Sequence, residues 1–210
     1  MINTIIFDFG GVILNINYHK TIEAFQQLGV ENFDQLYSQH QQNHLFDLLE
    51  TGKIEPEAFV AALKESLPES VTEQQIIDAW NALLLNYPKH RLAFLKEIGE
   101  AYPIYMLSNT NAIHEQYFIQ TLAEEHPEVN LKALFKEVYY SHEVGMRKPN
   151  VEIFEWVLEQ NQLNPATTLF IDDTEQHIKG AQKAGLHTYH LLPGEDIAEV
   201  LPRVLAELNQ

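Results

Sequence analysis

The sequence predicts an α/β fold, a doubly wound (Rossmann-like) parallel sheet carrying an inserted four-helix cap domain, and three observations support that expectation. Short apolar runs rich in β-branched residues recur at 2–7, 104–107, 168–171 and 188–192, the pattern of strands buried on both faces. Helical patterns separate the later runs. The interval 17–87 carries helical signals alone. In chain order, the first run meets Asp8 and the pair Gly10 and Gly11, which reads as a buried strand entering a tight loop. Four helices follow in the insert. The first has Ile22, Phe25 and Leu28 before Gly29, and the second spans 36–49 before Gly52. The third starts with Pro56 near N1, ahead of Phe59, Val60, Leu63 and Leu67. The fourth opens on a capping box of Thr72 and Gln75 before Ile76, Ile77, Trp80, Leu83 and Leu84. An all-helical insert of this size can bury its own small core and sit over the strand ends. The expected division is therefore 1–16 and 88–210 for the α/β core and 17–87 for the cap, with Tyr37, Phe46, Trp80 and Tyr87 in the cap's interior. Further helices are expected at 91–98, 113–124, 151–160 and 176–184, the last closed by Gly185. Pro202 should start or kink a final helix over 200–208.

Composition narrows the function. Thirteen Lys and Arg stand against thirty Asp and Glu, a formal charge of −17 over 210 residues, and such a field repels nucleic-acid backbones and anionic lipid surfaces. No nucleic-acid or membrane partner is expected. A small phosphorylated metabolite remains possible if a metal ion, a lysine or a helix N-terminus opposes the global charge locally. With no Cys there is no disulfide, thiol nucleophile or thiolate zinc site, which is compatible with a cytoplasmic location. The first residues lack the basic segment of a signal peptide, and no apolar run approaches the roughly 20 residues of a membrane helix. Nothing in the sequence fixes an oligomeric state.

Ligands of open parallel sheets bind beyond the carboxyl ends of the strands. The residues there are Asp8, Ser108 and the pair Asp172 and Asp173, with Lys148 in a following loop. Carboxylates gathered from two strand ends repel one another unless a divalent cation sits between them, and ligation by oxygen alone suits Mg²⁺. A hydroxyl at Ser108 and an ammonium at Lys148 can hold the remaining oxygens of a phosphate, while a carboxylate attacks phosphorus. That combination describes phosphoryl transfer through aspartate.

Four segments, Ile-Ile-Phe-Asp8-Phe-Gly-Gly-Val-Ile, Met-Leu-Ser108-Asn-Thr-Asn, Gly-Met-Arg147-Lys148-Pro149 and Leu-Phe-Ile-Asp172-Asp173-Thr-Glu-Gln-His-Ile-Lys-Gly-Ala, resemble in order the four motifs of the haloacid dehalogenase superfamily of mostly Mg²⁺-dependent phosphatases. The likeness spans nearly the whole chain, and the helical insert corresponds to the family's first type of cap. The wording around Ser108, Lys148 and Asp172 is particularly similar to bacterial members acting on a sugar 1-phosphate. The resemblance implies that Asp8 is nucleophile and metal ligand, with Asp173 as the second carboxylate on Mg²⁺. It also implies Asp172 as an inner or outer-shell acid, Ser108 and Asn109 as ligands of the transferring phosphoryl group, and Lys148 as its counter-charge. Gly10 stands where the family normally has a second aspartate. Its main-chain carbonyl can still ligate the metal, but it cannot give a proton to the leaving oxygen. His177 stands where many relatives have Asp or Asn.

Other readings make distinct demands. A response-regulator receiver places its acidic pair first and its Lys-Pro last, the reverse of the order here. A metal-free 2-haloacid dehalogenase needs no acidic pair facing a cation, so Asp172 and Asp173 favour a phosphatase. A catalytically weak phospho-ligand binding or regulatory protein would tolerate Gly10. Of the ten His residues, His187 and His190 are three apart on a strand and point to opposite faces. His40 and His44, without further ligands at metal spacing, read as a solvated helix face.

Overall fold

The computed structural model of the chain describes residues 1–30 and 44–210. Tyr37, His40 and the expected pairing of His40 with His44 lie outside the described residues. Five parallel strands form one sheet in the order β3-β2-β1-β4-β5, with β1 Thr4–Phe7, β2 Ile104–Ser108, β3 Val138–Tyr140, β4 Thr168–Asp172 and β5 His187–His190. Every ladder is parallel, with Phe7 opposite Met106 on one side and Ile171 on the other. Parallel neighbours need crossovers, and helices supply them on both faces. The helices after the insert are α5 Lys89–Ala101, α6 Ala112–Glu125, α7 Ser141–Val144, α8 Val151–Gln160, α9 Glu175–Lys183 and α10 Ile197–Leu208.

The alternation of side chains along each strand sorts the core into two layers. Ile5, Phe7, Ile104, Met106, Leu169 and Ile171 pack against α5, α6 and α10 through Leu95, Phe118 and Leu201. Ile6, Leu107 and Phe170 pack the other way against Ile153, Phe154, Val157, Ile178 and Ala181 of α8 and α9. The sheet is doubly wound, as the continuous apolar runs predict.

Within the insert the described helices are α1 Tyr18–Gln27, α2 His44–Glu50, α3 Pro56–Lys64 and α4 Glu73–Asn81. Pro56 occupies the first turn of α3, and Thr72 with Gln75 closes a reciprocal capping box on α4. Phe25, Phe46, Phe59, Val60, Ile76 and Trp80 bury a separate cluster, in which the rings of Phe46 and Trp80 stack at 5.2 Å. Truncating Trp80 to alanine should cost roughly 3–5 kcal/mol. Ile113 of α6 joins this cluster, so a helix of the α/β layer completes the insert's core. Tyr87 instead packs in the layer that holds Phe9 and Leu83. The chain enters and leaves the insert side by side, with Asn15 bonded to Leu85 and Asn86 and Asn17 bonded to Leu83.

Some expectations need correction. The edge strand β3 has no apolar run to announce it, because its three residues are Val-Tyr-Tyr and two are only half-buried. The final strand runs over His187–His190 rather than 188–192. The last helix begins at Ile197, not at Pro202: the Asp196 carboxylate accepts from Ala198 N at 3.0 Å, and that cap sets the start while Pro202 is carried inside the helix. Asn111 caps α6 by accepting from His114 N.

Candidate active site

The sheet order brings the site together. Chain order reverses between β1 and β4, which are neighbours, so the residues after them border the crevice at the switch point. Asp8 N donates to Ile171 O at 2.8 Å, setting the Asp8 side chain beside Asp172, the last residue of β4. On the other flank of β1, Ser108 ends β2. Lys148 arrives from the loop between α7 and α8, and two contacts fix that loop. The Asn109 amide accepts from Lys148 N and donates to Lys148 O, both at 2.9 Å. The carbonyl of Pro149 lies against Gly180 of α9, where any Cβ would collide with it.

The ammonium of Lys148 is fully buried. Its Nζ donates to Asp8 Oδ1 at 2.6 Å and to Asp172 Oδ2 at 2.7 Å. Asp173 turns its carboxylate over Gly11, whose φ of 80° and lack of a Cβ make that approach possible. Oxygens of Asp8, Asp172 and Asp173 lie within 4.8 Å of one another.

Charge is out of balance here. Burial and the charge of Asp172 raise the carboxyl of Asp8 to about 6, even with Lys148 against it. Burial together with Asp8 and Asp172 raises Asp173 to about 7. Asp172 goes the other way: burial disfavours its charge, but Lys148 and His177 hold it down to about 2. For Lys148, burial works to lower the pKa, and Asp172 and Asp8 prevail in raising it. One ammonium, paired with Asp8 and Asp172, thus stands against three carboxylates, and the group keeps surplus negative charge. Oxygen donors with surplus negative charge are what a hard divalent cation such as Mg²⁺ requires, so the residues fit that ion.

The structure joins Asp8, Asp172, Asp173 and Lys148 directly, with Ser108 and Asn109 at the adjoining strand end. The Ser108 hydroxyl is buried, with Asn109 O at 3.5 Å as its acceptor. The side chain of Asn109 holds the main chain of Lys148 through Oδ1 and one N–H, and its second N–H is left for another acceptor. Gly10 is outside the left-handed region, and a Cβ there would come to 3.3 Å from Ile16 Cδ1. His187 and His190 donate through Nε2 to the carbonyls of Ala166 and Asp173, so neither gathers ligands. Sequence reasoning missed Arg147, whose guanidinium pairs with Asp47 and, at 3.0 Å, with Glu50 on α2. The only local signal was a cation next to Lys148; its partners are about a hundred residues away. It also missed His114, stacked on Trp80 and donating to Trp80 O. Burial holds its pKa down to about 4.

A buried lysine gripped by carboxylates from two neighbouring strand ends, with a further carboxylate close beside them, defines an enzyme site for a small anionic group at the switch point of a doubly wound sheet. Residues 2–185 match the haloacid dehalogenase-like hydrolase family, and the chain belongs to that family. It is 30% identical over 210 residues, covering 98% of this chain and 99% of the relative, to D-ribitol-5-phosphate phosphatase of Bacteroides thetaiotaomicron. It is 29% identical to a sesquiterpene phosphatase of Aspergillus oryzae over 89% of this chain and 88% of that one. Among solved structures, a family enzyme of Bacteroides thetaiotaomicron in complex with magnesium and inorganic phosphate superposes with a TM-score of 0.89 at 33% identity, covering 96% of this chain and 99% of the other. A 2-haloacid dehalogenase of Pseudomonas syringae shares the fold at a TM-score of 0.61 and 15% identity, over 99% of each chain. No helix among the described residues is long and apolar enough to cross a membrane.

Proposed function

We propose that the chain is a Mg²⁺-dependent phosphomonoester hydrolase that acts on small sugar or sugar-alcohol phosphates through an aspartyl-phosphate on Asp8. The core is 1–16 with 88–210, the cap is 17–87, and the enzyme works in the cytoplasm. The observation that carries the reading is the gathering of three carboxylates, Asp8, Asp172 and Asp173, around a single fully buried Lys148. Magnesium, held by Asp8, Asp173 and the Gly10 carbonyl, would neutralise the phosphoryl oxygens and screen the nucleophile from them. Lys148 orients the Asp8 carboxylate through Oδ1, leaving Oδ2 to attack phosphorus, and it stabilises the charge that develops. Ser108 donates its hydroxyl to a phosphoryl oxygen as the P–O bond to the alcohol breaks; the departing alkoxide takes a proton from water, and a second water then attacks phosphorus, releasing phosphate and restoring Asp8. The names of the relatives support phosphate esters as substrates. The likeness to dehalogenases rests on fold alone, and three gathered carboxylates suit a metal-dependent enzyme better than a metal-free one.

Gly10 sharpens the substrate class. General acid catalysis is worth about 10² to 10⁴ in rate and matters most for strongly basic leaving groups. Without a carboxylate at position 10, a sugar 1-phosphate should react in preference to the matching 6-phosphate, and aryl phosphates should be accepted. The test is kcat/KM with Mg²⁺ on glucose 1-phosphate, glucose 6-phosphate, ribitol 5-phosphate and an aryl phosphate, in the wild type and in Gly10→Asp. Gly10 is not at positive φ, and an added Cβ asks the end of the Ile16 side chain to give by a few tenths of an ångström. The ratio of 6-phosphate to aryl phosphate should rise about 10-fold or more in the variant. An unchanged ratio in a folded, metal-binding variant means that another residue already supplies the proton.

A further inference from the structure

His177 stands in the first turn of α9, five residues beyond Asp172. Its Nδ1 is 2.9 Å from Asp172 Oδ2 and 3.0 Å from Oδ1. A carboxylate oxygen only accepts, so Nδ1 carries the proton whatever the state of the other ring nitrogen. Asp172 is fully buried, and its remaining capacity is also used: Oδ1 accepts from Thr174 N at 2.8 Å, and Oδ2 accepts from Lys148 Nζ. His177 reaches both oxygens, so it fixes the plane of the carboxylate as well as its position. An Asp with both oxygens occupied by donors has little left to offer a cation. Asp173 differs sharply: its carboxylate has a 3.3 Å contact from Thr174 Oγ1 and no ammonium of its own.

We propose that His177 is a positioning residue that holds Asp172 on Lys148, so that Asp172 orients the lysine while Asp8 and Asp173 are the side-chain ligands of the cation. This rests on the reading of the site as a magnesium-dependent phosphatase. The three acids thereby divide their work. Asp172 sets the ammonium that grips Asp8 Oδ1, and Asp173 supplies the metal charge. Without His177, each Asp172 oxygen keeps a single donor, Thr174 N on Oδ1 and Lys148 Nζ on Oδ2, so the plane of the carboxylate and the anchor it gives Lys148 are set less tightly.

The test measures Mg²⁺ binding by calorimetry on the full chain, alongside kcat and KM for an aryl phosphate at saturating Mg²⁺. His177→Ala should lower kcat at least about 10-fold, with KM and the Mg²⁺ dissociation constant within about 3-fold of wild type. His177→Asn should recover most of kcat, since its Nδ2 can donate from nearly the same place as Nδ1. Asp173→Asn should weaken Mg²⁺ binding more than about 10-fold. His177→Leu, which fills the space without a donor, replaces the alanine variant if that one does not fold. The proposal is overturned if a folded donor-less variant keeps wild-type kcat, if asparagine does no better than leucine, or if loss of the His177 donor weakens Mg²⁺ binding as much as Asp173→Asn. Should no phosphate ester be turned over even by wild type, the phosphatase reading fails, while the calorimetry still decides whether Asp172 or Asp173 holds the cation.

Discussion

Two groups of side chains among the described residues bring three potential ligand atoms within 4.8 Å: Asp8, Asp172 and Asp173, and separately Glu115, His142 and Glu143. Distance alone does not distinguish them, but charge does. Glu115 accepts from His142 Nε2 at 3.2 Å and has Lys132 Nζ at 3.6 Å. These contacts, the His142 hydrogen bond foremost, lower its pKa despite partial burial. The aspartates share one lysine among three, and burial with mutual repulsion pushes Asp8 and Asp173 up. A cation would relieve the first group and has little to gain in the second. An unmet charge, more than a cluster of oxygens, marks the metal site.

The most severe way to break this contrast is Asp8→Asn. It removes the nucleophile and one metal ligand while keeping the shape, so turnover should fall by at least about 10⁴-fold with the circular dichroism unchanged. Near-normal activity would remove Asp8 from the mechanism. Next in size is chelation, which should silence the wild type until Mg²⁺ is restored. Full turnover in excess chelator would point to the metal-free dehalogenase.

A third expectation concerns pH. Asp8 and Asp173 have folded-state pKa values of about 6 and about 7, above the ordinary 3.8, so the metal-free fold binds protons that the unfolded chain releases. For these groups, stability is fully present below about pH 4 and is lost as pH rises towards 7. Asp172, held low, contributes in the opposite direction, gaining between about 2 and 4. Mg²⁺ needs the carboxylates ionised and removes their penalty. The rise in Tm on adding Mg²⁺ should therefore be larger at pH 8 than at pH 5, as thermal denaturation can measure. An equal rise at both pH values would mean that Asp8 and Asp173 are already ionised and balanced without the ion.

The sequence exposed much of the aspartate group because the relevant residues end buried strands. An apolar run followed by Asp8, Ser108 or Asp172 tells where the chain leaves the sheet, and parallel topology does the rest. Lys148 was legible from the Arg-Lys-Pro wording, not from any periodicity. What stayed hidden depends on long-range approach or on competition for donors. Asn109 grips the main chain of Lys148, a contact 39 residues away that no local pattern announces. Ile113 reads as part of a helix over the sheet, yet it completes the insert's cluster. Arg147 carries no local sign of its partners on α2. The three residues of β3 are too few for a two-residue period to emerge.

The smallest effect is expected at Glu115→Gln, where the contrast can be tested from its quiet side. The folded-state pKa of Glu115 lies below the ordinary 4.5, so its charge contributes stability above about pH 4.5 that is lost as pH falls through the lowered value. Lys132 is more than half exposed, which screens its share. The glutamine variant should therefore lose no more than about 1 kcal/mol at pH 7, a Tm shift of about 2–4 °C for a chain of this size, and less in high salt. The penalty should shrink at pH 4, where part of the wild-type charge is already gone. Because Glu115 already has Lys132 and the His142 hydrogen bond, the Mg²⁺-induced rise in Tm should be the same in variant and wild type. If the variant instead forfeits part of that rise, or calorimetry finds a second Mg²⁺ that Glu115→Gln abolishes, then a cation does compete with Lys132 for this group. Charge balance would then fail as the criterion that separates the two clusters.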